Sequence, residues 1–141
     1  MTLLRVAGVI FDDGGRILVL RKRGASRFTL PGGKLDADET ALEAAIREVY
    51  EELRLVLEPA DLQQLGTVRG VAANEAGTPI QSTVFVCPGI MPTVAHAEIE
   101  ETRWIDVGLH PNDDVARDVS PLLTCEILPM YRETSIQDGG D

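Results

Sequence analysis

The stretch GKLDADETALEAAIREVYEELRL, residues Gly33–Leu55, decides the fold of this chain. A helix turns by about 100° per residue, so a helix here would bring Glu48, Glu51 and Glu52 together in one acidic patch. Another face of the same helix would carry the apolar residues Leu42, Ile46, Val49, Tyr50 and Leu53. This pattern predicts an amphipathic helix that packs on a core with one face and exposes concentrated negative charge on the other.

The acidic patch is unfavourable unless positive charge balances it. Glu48 and Glu52 are like charges at i,i+4, which destabilises a helix by roughly 0.2–0.5 kcal/mol per pair. Arg47 can pair with Glu43 or Glu51, but one arginine cannot neutralise the patch. A divalent cation can, since Mg²⁺ is typically held by one or two carboxylates together with waters and substrate phosphates. The glutamates alone leave two interpretations open, a metal site and an ordinary solvated acidic face.

The residues around the glutamates resemble the signature of the Nudix (MutT-like) hydrolase family. In that signature a glycine is followed after five residues by Glu, and after seven more by Arg-Glu. An aliphatic residue, any residue and Glu-Glu come next, and then any residue, a glycine and an aliphatic residue. The chain matches it at Gly33, Glu39, Arg47, Glu48, Val49, Glu51, Glu52 and Leu55. The preceding Phe28–Gly33 and the downstream Glu98–Trp104 also resemble the family pattern. The resemblance therefore covers most of the chain and weakens after about Val107.

One fixed position of the signature departs, because Arg54 stands where the family has glycine. A glycine just past a helix usually takes the left-handed conformation of a C-terminal cap. An arginine in that conformation costs about 1 kcal/mol, unless the helix continues and ends differently. On a helical wheel Arg54 points about 120° from Glu48. The departure is therefore expected to affect how the helix ends and to leave the acidic patch unchanged.

The resemblance implies an α/β fold, the Nudix-type α/β/α sandwich with a mixed sheet between helices. The order of elements along the chain agrees, with predicted strands at Leu4–Phe11, Arg16–Leu20, Leu62–Val71, Ile80–Val86 and Ile99–Val107. We expect a single domain over residues 1–132, followed by a polar tail over residues 133–141 that is disordered.

Two helices are predicted. The first has Thr40 as its N-cap with Glu43 three residues later, the pattern of a capping box, and it continues to about Leu53. The second begins near residue 112 or 113, runs towards residue 127 and is disturbed at Pro121.

The resemblance also implies roles for the residues of the signature. Glu48, Glu51 and Glu52 would hold a metal ion together with the backbone carbonyl of Gly32. The ion would be Mg²⁺, with Mn²⁺ as an alternative, and it would activate water and neutralise phosphate charge. The residues that would orient the ligands are Gly33, Glu39 and Arg47.

The general base is less well defined, because the family takes it from the signature or from a later glutamate. The later glutamates here are Glu98, Glu100 and Glu101. In a strand, alternation puts Glu98 and Glu100 on one face and Glu101 on the other. We favour Glu101, by its spacing before Trp104, and then Glu98; an ordinary exposed carboxylate is the alternative for each.

Several other residues are candidates for binding substrate. Arg21 and Arg23, with Lys22 between them, follow the second strand and would contact phosphates, or would form a solvated strand end. Phe28 would stack on a base, or would cover an edge of the core. Lys34, inside the signature, is a further substrate contact.

Composition limits the classes of partner. The chain has 141 residues and a net charge of −10, which argues against a nucleic-acid polymer and leaves a small nucleotide as the expected partner. No apolar run approaches the roughly 20 residues of a membrane span, and the N-terminal segment reads as a strand and not as a signal peptide. Cys87 and Cys125 are expected to be reduced thiols. We expect a cytoplasmic monomer or homodimer.

The substrate is the least constrained prediction. The resemblance implies a nucleoside diphosphate linked to another group. The proline that marks ADP-ribose enzymes is replaced by Val71, and the tyrosine of a diadenosine-polyphosphate group by Ala73. These absences favour a nucleoside triphosphate, oxidised forms included, cleaved to a monophosphate and pyrophosphate. ADP-ribose, nucleotide-sugar and dinucleoside polyphosphate hydrolases stay as alternatives, as do a non-catalytic nucleotide sensor and an isopentenyl diphosphate isomerase.

Overall fold

The strands form two sheets in the computed structural model, which describes residues 2–72, 77–93, 95 and 98–139. The strands are β1 Leu4–Ile10, β2 Asp12–Asp13, β3 Arg16–Lys22, β4 Gly32–Lys34, β5 Gln63–Val71, β6 Pro79–Val86 and β7 Ile99–Asp106. A four-stranded sheet has the order β4-β1-β6-β5 and a three-stranded sheet the order β2-β3-β7. β1 and β6 are parallel, and the other pairs are antiparallel. The sheet is therefore mixed, as predicted, but it is divided in two.

The near-continuous apolar sequence of β1 is explained by burial on both faces. Val9 and Phe11 pack in one core, while Ile10 packs in a second core on the opposite face. A strand between two others, in a sheet that is covered on both faces, has no solvent face, so it lacks the alternation of apolar and polar residues. β3 behaves in the same way, with Leu18 and Ile17 in different cores.

Each core is covered by a different helix. The helix α1, Ala41–Leu53, contributes Ala44, Val49 and Leu53 to the core that contains Phe11. The C-terminal helical segment, residues 121–139, contributes apolar side chains to the core that contains Ile10. Helices therefore cover both faces of the sheets, and the predicted α/β sandwich is confirmed.

The start of α1 matches the predicted capping box. The Thr40 hydroxyl accepts a hydrogen bond from the Glu43 N–H at 3.1 Å, and the Glu43 carboxylate accepts one from the Thr40 N–H at 2.9 Å. The other end of α1 is closed by Arg54, which takes the left-handed conformation at φ 53° and ψ 32°. Arg54 therefore caps the helix as the family glycine would, at a cost of about 1–2 kcal/mol for an L-residue.

Three details of the helices differ from the predictions. Pro121 begins the second helix instead of disturbing it, because its missing N–H is tolerated in the first turn. The segment before it contains only a short 3₁₀ turn, Asp114–Ala116. A π-helical stretch, Leu123–Ile127, leads into α2, Leu128–Gly139, so helix extends into the predicted tail. The domain boundary at residue 132 stays a prediction.

Two further observations concern the remainder of the chain. No helix within the described residues has both the length and the apolar character to cross a membrane. Cys87 is buried and Cys125 is exposed, and both are free thiols. Burial raises the pKa of the Cys87 thiol to about 11, which keeps it protonated near neutral pH.

Replacing Thr40 by alanine should destabilise the protein by about 1 kcal/mol, because the Glu43 N–H loses its partner at the start of α1. Urea unfolding followed by circular dichroism would measure this. Thr40→Ser, which retains a hydroxyl, should stay within a few tenths of a kcal/mol of wild type. Equal stability of the alanine and serine variants would show that the cap contributes nothing.

Candidate functional site

Glu52 is the most buried carboxylate of the acidic patch, and its side chain is only 4% exposed. The N–H of Gly32 donates a hydrogen bond to Glu52 Oε1 at 2.9 Å. Glu52 Oε2 lies 3.3 Å from Lys22 Nζ, but without hydrogen-bonding geometry, so this buried oxygen has no hydrogen-bond partner among the described residues. The patch is therefore not the bare, solvated face that the sequence suggested, since β4 covers part of it.

Burial raises the pKa of the Glu52 carboxyl to about 7, even though the Lys22 ammonium and the Gly32 N–H both act to lower it. When Glu52 is ionised, its Oε2 has no hydrogen-bond partner among the described residues, and this ionised form is the one that a cation would stabilise. A bound divalent ion would supply the missing partner and lower the pKa again.

Arg47 fixes the position of Glu48 through a planar set of hydrogen bonds. Its Nη1 donates to Glu48 Oε1 at 2.8 Å. Its Nε and Nη2 donate to the two carboxylate oxygens of Glu39 at 2.7 and 2.8 Å, and Nη2 also reaches the carbonyl of Lys34 at 3.0 Å. A bidentate pair of this kind holds both side chains in one orientation. Glu39 and the Lys34 carbonyl thus hold the Arg47 guanidinium on one side, and the guanidinium holds Glu48 on the other, as the predicted supporting role requires.

The same pairing changes the proton affinities of its members. Hydrogen bonds from Arg47 and from the backbone N–H of Asp36 lower the pKa of the Glu39 carboxyl to about 2. The partner carboxylates raise the pKa of Arg47 well above its usual value. Glu39 and Arg47 therefore stay charged at any pH at which the protein works, and neither is suited to transfer a proton.

Gly33 leaves room for the Glu48 carboxylate where α1 approaches β4. A Cβ atom on Gly33 would lie 2.6 Å from Glu48 Cδ, so the carboxylate would have to leave its position beside Arg47. Gly32, with φ +143°, would place a Cβ 1.9 Å from the carbonyl oxygen of Ala7. The two glycines thus allow the acidic half of the helix to lie directly on the sheet.

Two cavities meet at this contact. The first, the aliphatic cavity, has a volume of 430 Å³, and its walls include Leu30, Leu122 and Ile127. The second, the acidic cavity, has a volume of 350 Å³ and is lined by Lys22, Glu48, Glu51, Glu52, Arg54, Glu98 and Ile99. Lys22 and Glu48 line both cavities. The aliphatic cavity, whose wall also carries Arg27 and Lys34, therefore shares one cation and one carboxylate with the acidic cavity.

The candidates for general base are separated by the structure. Glu98 lies before β7 and lines the acidic cavity. Glu101 faces Arg21 across the β3–β7 ladder, with an ion pair of 3.4 Å, and lines neither cavity. The geometry therefore favours Glu98 over Glu101, the reverse of the preference from sequence spacing. Glu100 is paired with Arg23 at 3.3 Å.

The basic run at the end of β3 is directed differently from our prediction. Arg21 and Arg23 form ion pairs with glutamates of β7 and line neither cavity, and their contact with phosphates stays a prediction. Lys22, between them, lines both cavities and faces Glu52. The alternation of side chains along a strand makes the middle residue point away from its neighbours, and this was the signal that could have selected Lys22.

Two other predicted substrate contacts have different outcomes. Phe28 is only 1% exposed, and the Arg103 guanidinium lies 4.0 Å from its ring centroid. The ring therefore packs in the core, which agrees with the alternative that Phe28 covers a core edge, and stacking on a base stays a prediction. Lys34 lines the aliphatic cavity, where contact with a substrate is sterically open.

Arg54 was expected to point away from the acidic patch, yet it lines the acidic cavity. The helical wheel fails at this residue because a left-handed conformation turns the side chain off the helical direction. Its guanidinium lies 5.2 Å from the Tyr50 ring centroid, and Tyr50 is 46% exposed and not buried as predicted.

The residues present are compatible with a divalent metal ion, although they do not form a closed cage. Within the described part of the chain, no three acidic, histidine or cysteine side chains stand close enough to enclose an ion. Mg²⁺ does not require such a cage, because it commonly keeps waters and substrate phosphates beside one or two carboxylates. The unpartnered Glu52 Oε2 and the adjacent Glu48 provide hard oxygen donors of the correct kind.

Comparison with known proteins identifies the family. A family model described as the NUDIX domain matches residues 1–123. The chain belongs to the Nudix family. The resemblance predicted from Gly33–Leu55 is thus confirmed, and Nudix hydrolases generally use a divalent metal ion.

Relatives and solved structures agree with this Nudix assignment. The chain is 39% identical over 70 residues to a MutT-like protein of Streptomyces ambofaciens, covering 48% of this chain and 46% of that protein. It is 41% identical over 61 residues to an RNA pyrophosphohydrolase of Halorhodospira halophila, covering 43% and 33%. The chain thus spans less than half the length of both relatives. The crystal structure of a MutT protein from Methanosarcina mazei Go1 has the same fold, with a TM-score of 0.72, 20% identity and coverage of 94% and 95%.

The raised pKa of Glu52 predicts that the metal-free Nudix domain loses stability as the pH rises. The folded carboxyl has a pKa of about 7 against a reference value of 4.5, so the folded state binds the proton more tightly. Stability from this group is complete below about pH 4.5 and declines through about pH 7, by roughly 2–4 kcal/mol at 1.36 kcal/mol per pKa unit. Urea unfolding in a chelator, at a series of pH values, would measure the decline.

Glu52→Gln is the test variant for this decline, and it should remove most of the slope between about pH 5 and about pH 8. Glu51→Gln is a matched control, since the Glu51 side chain is 52% exposed, and it should retain the wild-type slope. If Glu52→Gln and wild type lose stability in parallel, another group is responsible.

Proposed function

We propose that this protein is a Mg²⁺-dependent pyrophosphohydrolase that cleaves a nucleoside diphosphate linked to another group. The substrate that fits best is a nucleoside triphosphate, oxidised forms included, with a nucleoside monophosphate and pyrophosphate as products. The single observation that carries the proposal is the junction of the aliphatic and acidic cavities at Lys22 and Glu48. Such a junction fits a molecule with an apolar organic end and a phosphate chain.

The chain's own residues have distinct roles in this reaction. Lys22 would contact a phosphate at the junction, where its charge also faces Glu52. Arg47 and Glu39 would hold Glu48 in a single orientation, which spares the reorganisation that a flexible carboxylate would require. Glu48, Glu51, Glu52 and the Gly32 carbonyl are the groups that would bind Mg²⁺. When bound, the ion would neutralise phosphate charge and lower the pKa of a coordinated water.

Hydrolysis requires that a water attack phosphorus while a bridging P–O bond breaks. The oxygen of water forms the new bond to phosphorus, the bridging oxygen leaves with the departing phosphate group, and one proton of water passes to a base. Glu98 is the glutamate of the later loop that lies at the acidic cavity, so we assign the base to Glu98 in preference to Glu101. The Halorhodospira halophila relative is an RNA pyrophosphohydrolase, a name that also denotes cleavage of a phosphate anhydride.

The proposal is tested by a screen of the purified protein with Mg²⁺ or Mn²⁺. The substrates are nucleoside triphosphates, oxidised dGTP, ADP-ribose, a nucleotide sugar and a dinucleoside polyphosphate, with pyrophosphate, phosphate and monophosphate measured separately. We expect turnover that depends on the metal, is abolished by chelator and releases pyrophosphate from a triphosphate. Nucleotide binding without turnover on any compound would instead identify a sensor.

Glu52→Gln should reduce this turnover by at least about 100-fold, more than the roughly 10–100-fold typical of losing an outer-shell partner. Glu126→Gln changes an exposed glutamate that lines neither cavity, and it should retain wild-type activity. Full activity of Glu52→Gln would show that the acidic cavity is not where the reaction occurs.

A further inference from the structure

Arg54 occupies a position that the signature reserves for glycine, and it does so in the conformation that glycine would take. Arg54 is the sole residue other than glycine with positive φ within the described part of the chain. Its backbone N–H donates to the Tyr50 carbonyl at 2.9 Å and ends α1. A glycine would perform this backbone role without strain, so the backbone alone does not explain an arginine here.

The side chain of Arg54 lines the acidic cavity but is committed to none of its carboxylates. Among the described residues its guanidinium forms no ion pair. The guanidinium carbon lies 5.2 Å from the centroid of the Tyr50 ring. Arg47, by contrast, is fully used by Glu39, Glu48 and the Lys34 carbonyl. Arg54 therefore brings a planar group with five N–H donors to the cavity, beside an aromatic ring and available to an anion.

The positions of the two cavities suggest the orientation in which a substrate would bind. Lys22 and Glu48 lie at their junction, whereas Arg54 lines the acidic cavity only. An organic group in the aliphatic cavity would send its phosphate chain across Lys22 and Glu48 and then into the acidic cavity. The phosphate that reaches Arg54 is thus the one most distant from the organic group.

We propose that Arg54 binds the terminal phosphate of the substrate and selects for a chain of three or more phosphates. The proposal deepens the proposed function and depends on it for the direction of the substrate. A guanidinium matches the geometry of a phosphate with two parallel N–H···O bonds. A substrate with fewer phosphates would end before it reaches Arg54 at the end of α1, and it would not gain these two bonds. Glycine at this position provides no such contact.

The test compares Arg54→Gly and Arg54→Lys with wild type on a nucleoside triphosphate and on the corresponding diphosphate. Arg54→Gly should lower kcat/KM for the triphosphate by about tenfold, chiefly through KM, since one charge-assisted contact at an exposed site is removed. It should change kcat/KM for the diphosphate by less than about twofold. Arg54→Lys, which retains the charge without the planar group, should give an intermediate value for the triphosphate.

A second measurement does not require turnover. Calorimetric titration with inorganic tripolyphosphate in the presence of Mg²⁺ should show about tenfold weaker binding to Arg54→Gly. Arg69→Gln is the matched control, because Arg69 donates to Gln81 and lines neither cavity, and it should bind like wild type. Thermal unfolding should show that Arg54→Gly is at least as stable as wild type, which excludes a folding defect.

The outcomes separate this inference from the proposed function. If wild type hydrolyses none of the substrates, the proposed function fails, while the tripolyphosphate titration still tests Arg54. Equal losses on triphosphate and diphosphate would overturn the selection for chain length. Unchanged tripolyphosphate binding by Arg54→Gly would overturn the phosphate contact itself.

Discussion

The structure depends on the direct contact between the acidic half of α1 and the backbone of β4. A Cβ at Gly33 would lie 2.6 Å from Glu48 Cδ and would displace that carboxylate, and the Gly32 N–H donates a hydrogen bond to Glu52 Oε1 at 2.9 Å. Without this contact the glutamates would be solvated and would repel one another as an ordinary acidic surface. Because the helix lies on the sheet, one carboxylate is buried, another is held beside the glycines, and the third stays exposed. The contact thus turns three chemically equal side chains into three different ones.

The charge that the contact concentrates is balanced unevenly. Arg47 balances Glu39 and Glu48 with short, planar hydrogen bonds, so this part of the site is complete in the absence of any ligand. Lys22 approaches Glu52 Oε2 at 3.3 Å without a hydrogen bond, so that part is incomplete. Burial of an unpartnered carboxylate oxygen is unfavourable, and proteins retain such groups mainly at functional sites. The support is therefore rigid before ligand binds, and the remaining electrostatic cost is located where a cation would relieve it.

Much of the fold and the centre of the site could be predicted from the sequence, since these rest on local patterns. The capping box at Thr40, the strands and the spacing of the glutamates are all set by residues close together in the chain. The contacts made across the sheets could not be predicted in this way. Arg21 forms an ion pair with Glu101, 80 residues away in the sequence. Neither residue lines a cavity described above, and local sequence patterns do not indicate this long-range pair. Arg54 escaped prediction for another reason, because a helical wheel does not apply to a left-handed residue.

The different walls of the two cavities indicate where recognition is strong. As described, the lining of the aliphatic cavity contains no aromatic ring, since Phe28 lies in the core beneath Arg103. Base stacking, which contributes about 1–3 kcal/mol per base where rings are present, is therefore not supplied by that lining. Cations line both cavities: Lys22, Arg27 and Lys34 line the aliphatic cavity, and Lys22 and Arg54 lie around the carboxylates of the acidic one. For a nucleotide bound as we propose, such a lining would distinguish ligands more by their phosphates than by their bases, which agrees with a sequence that defines the reaction more closely than the nucleoside.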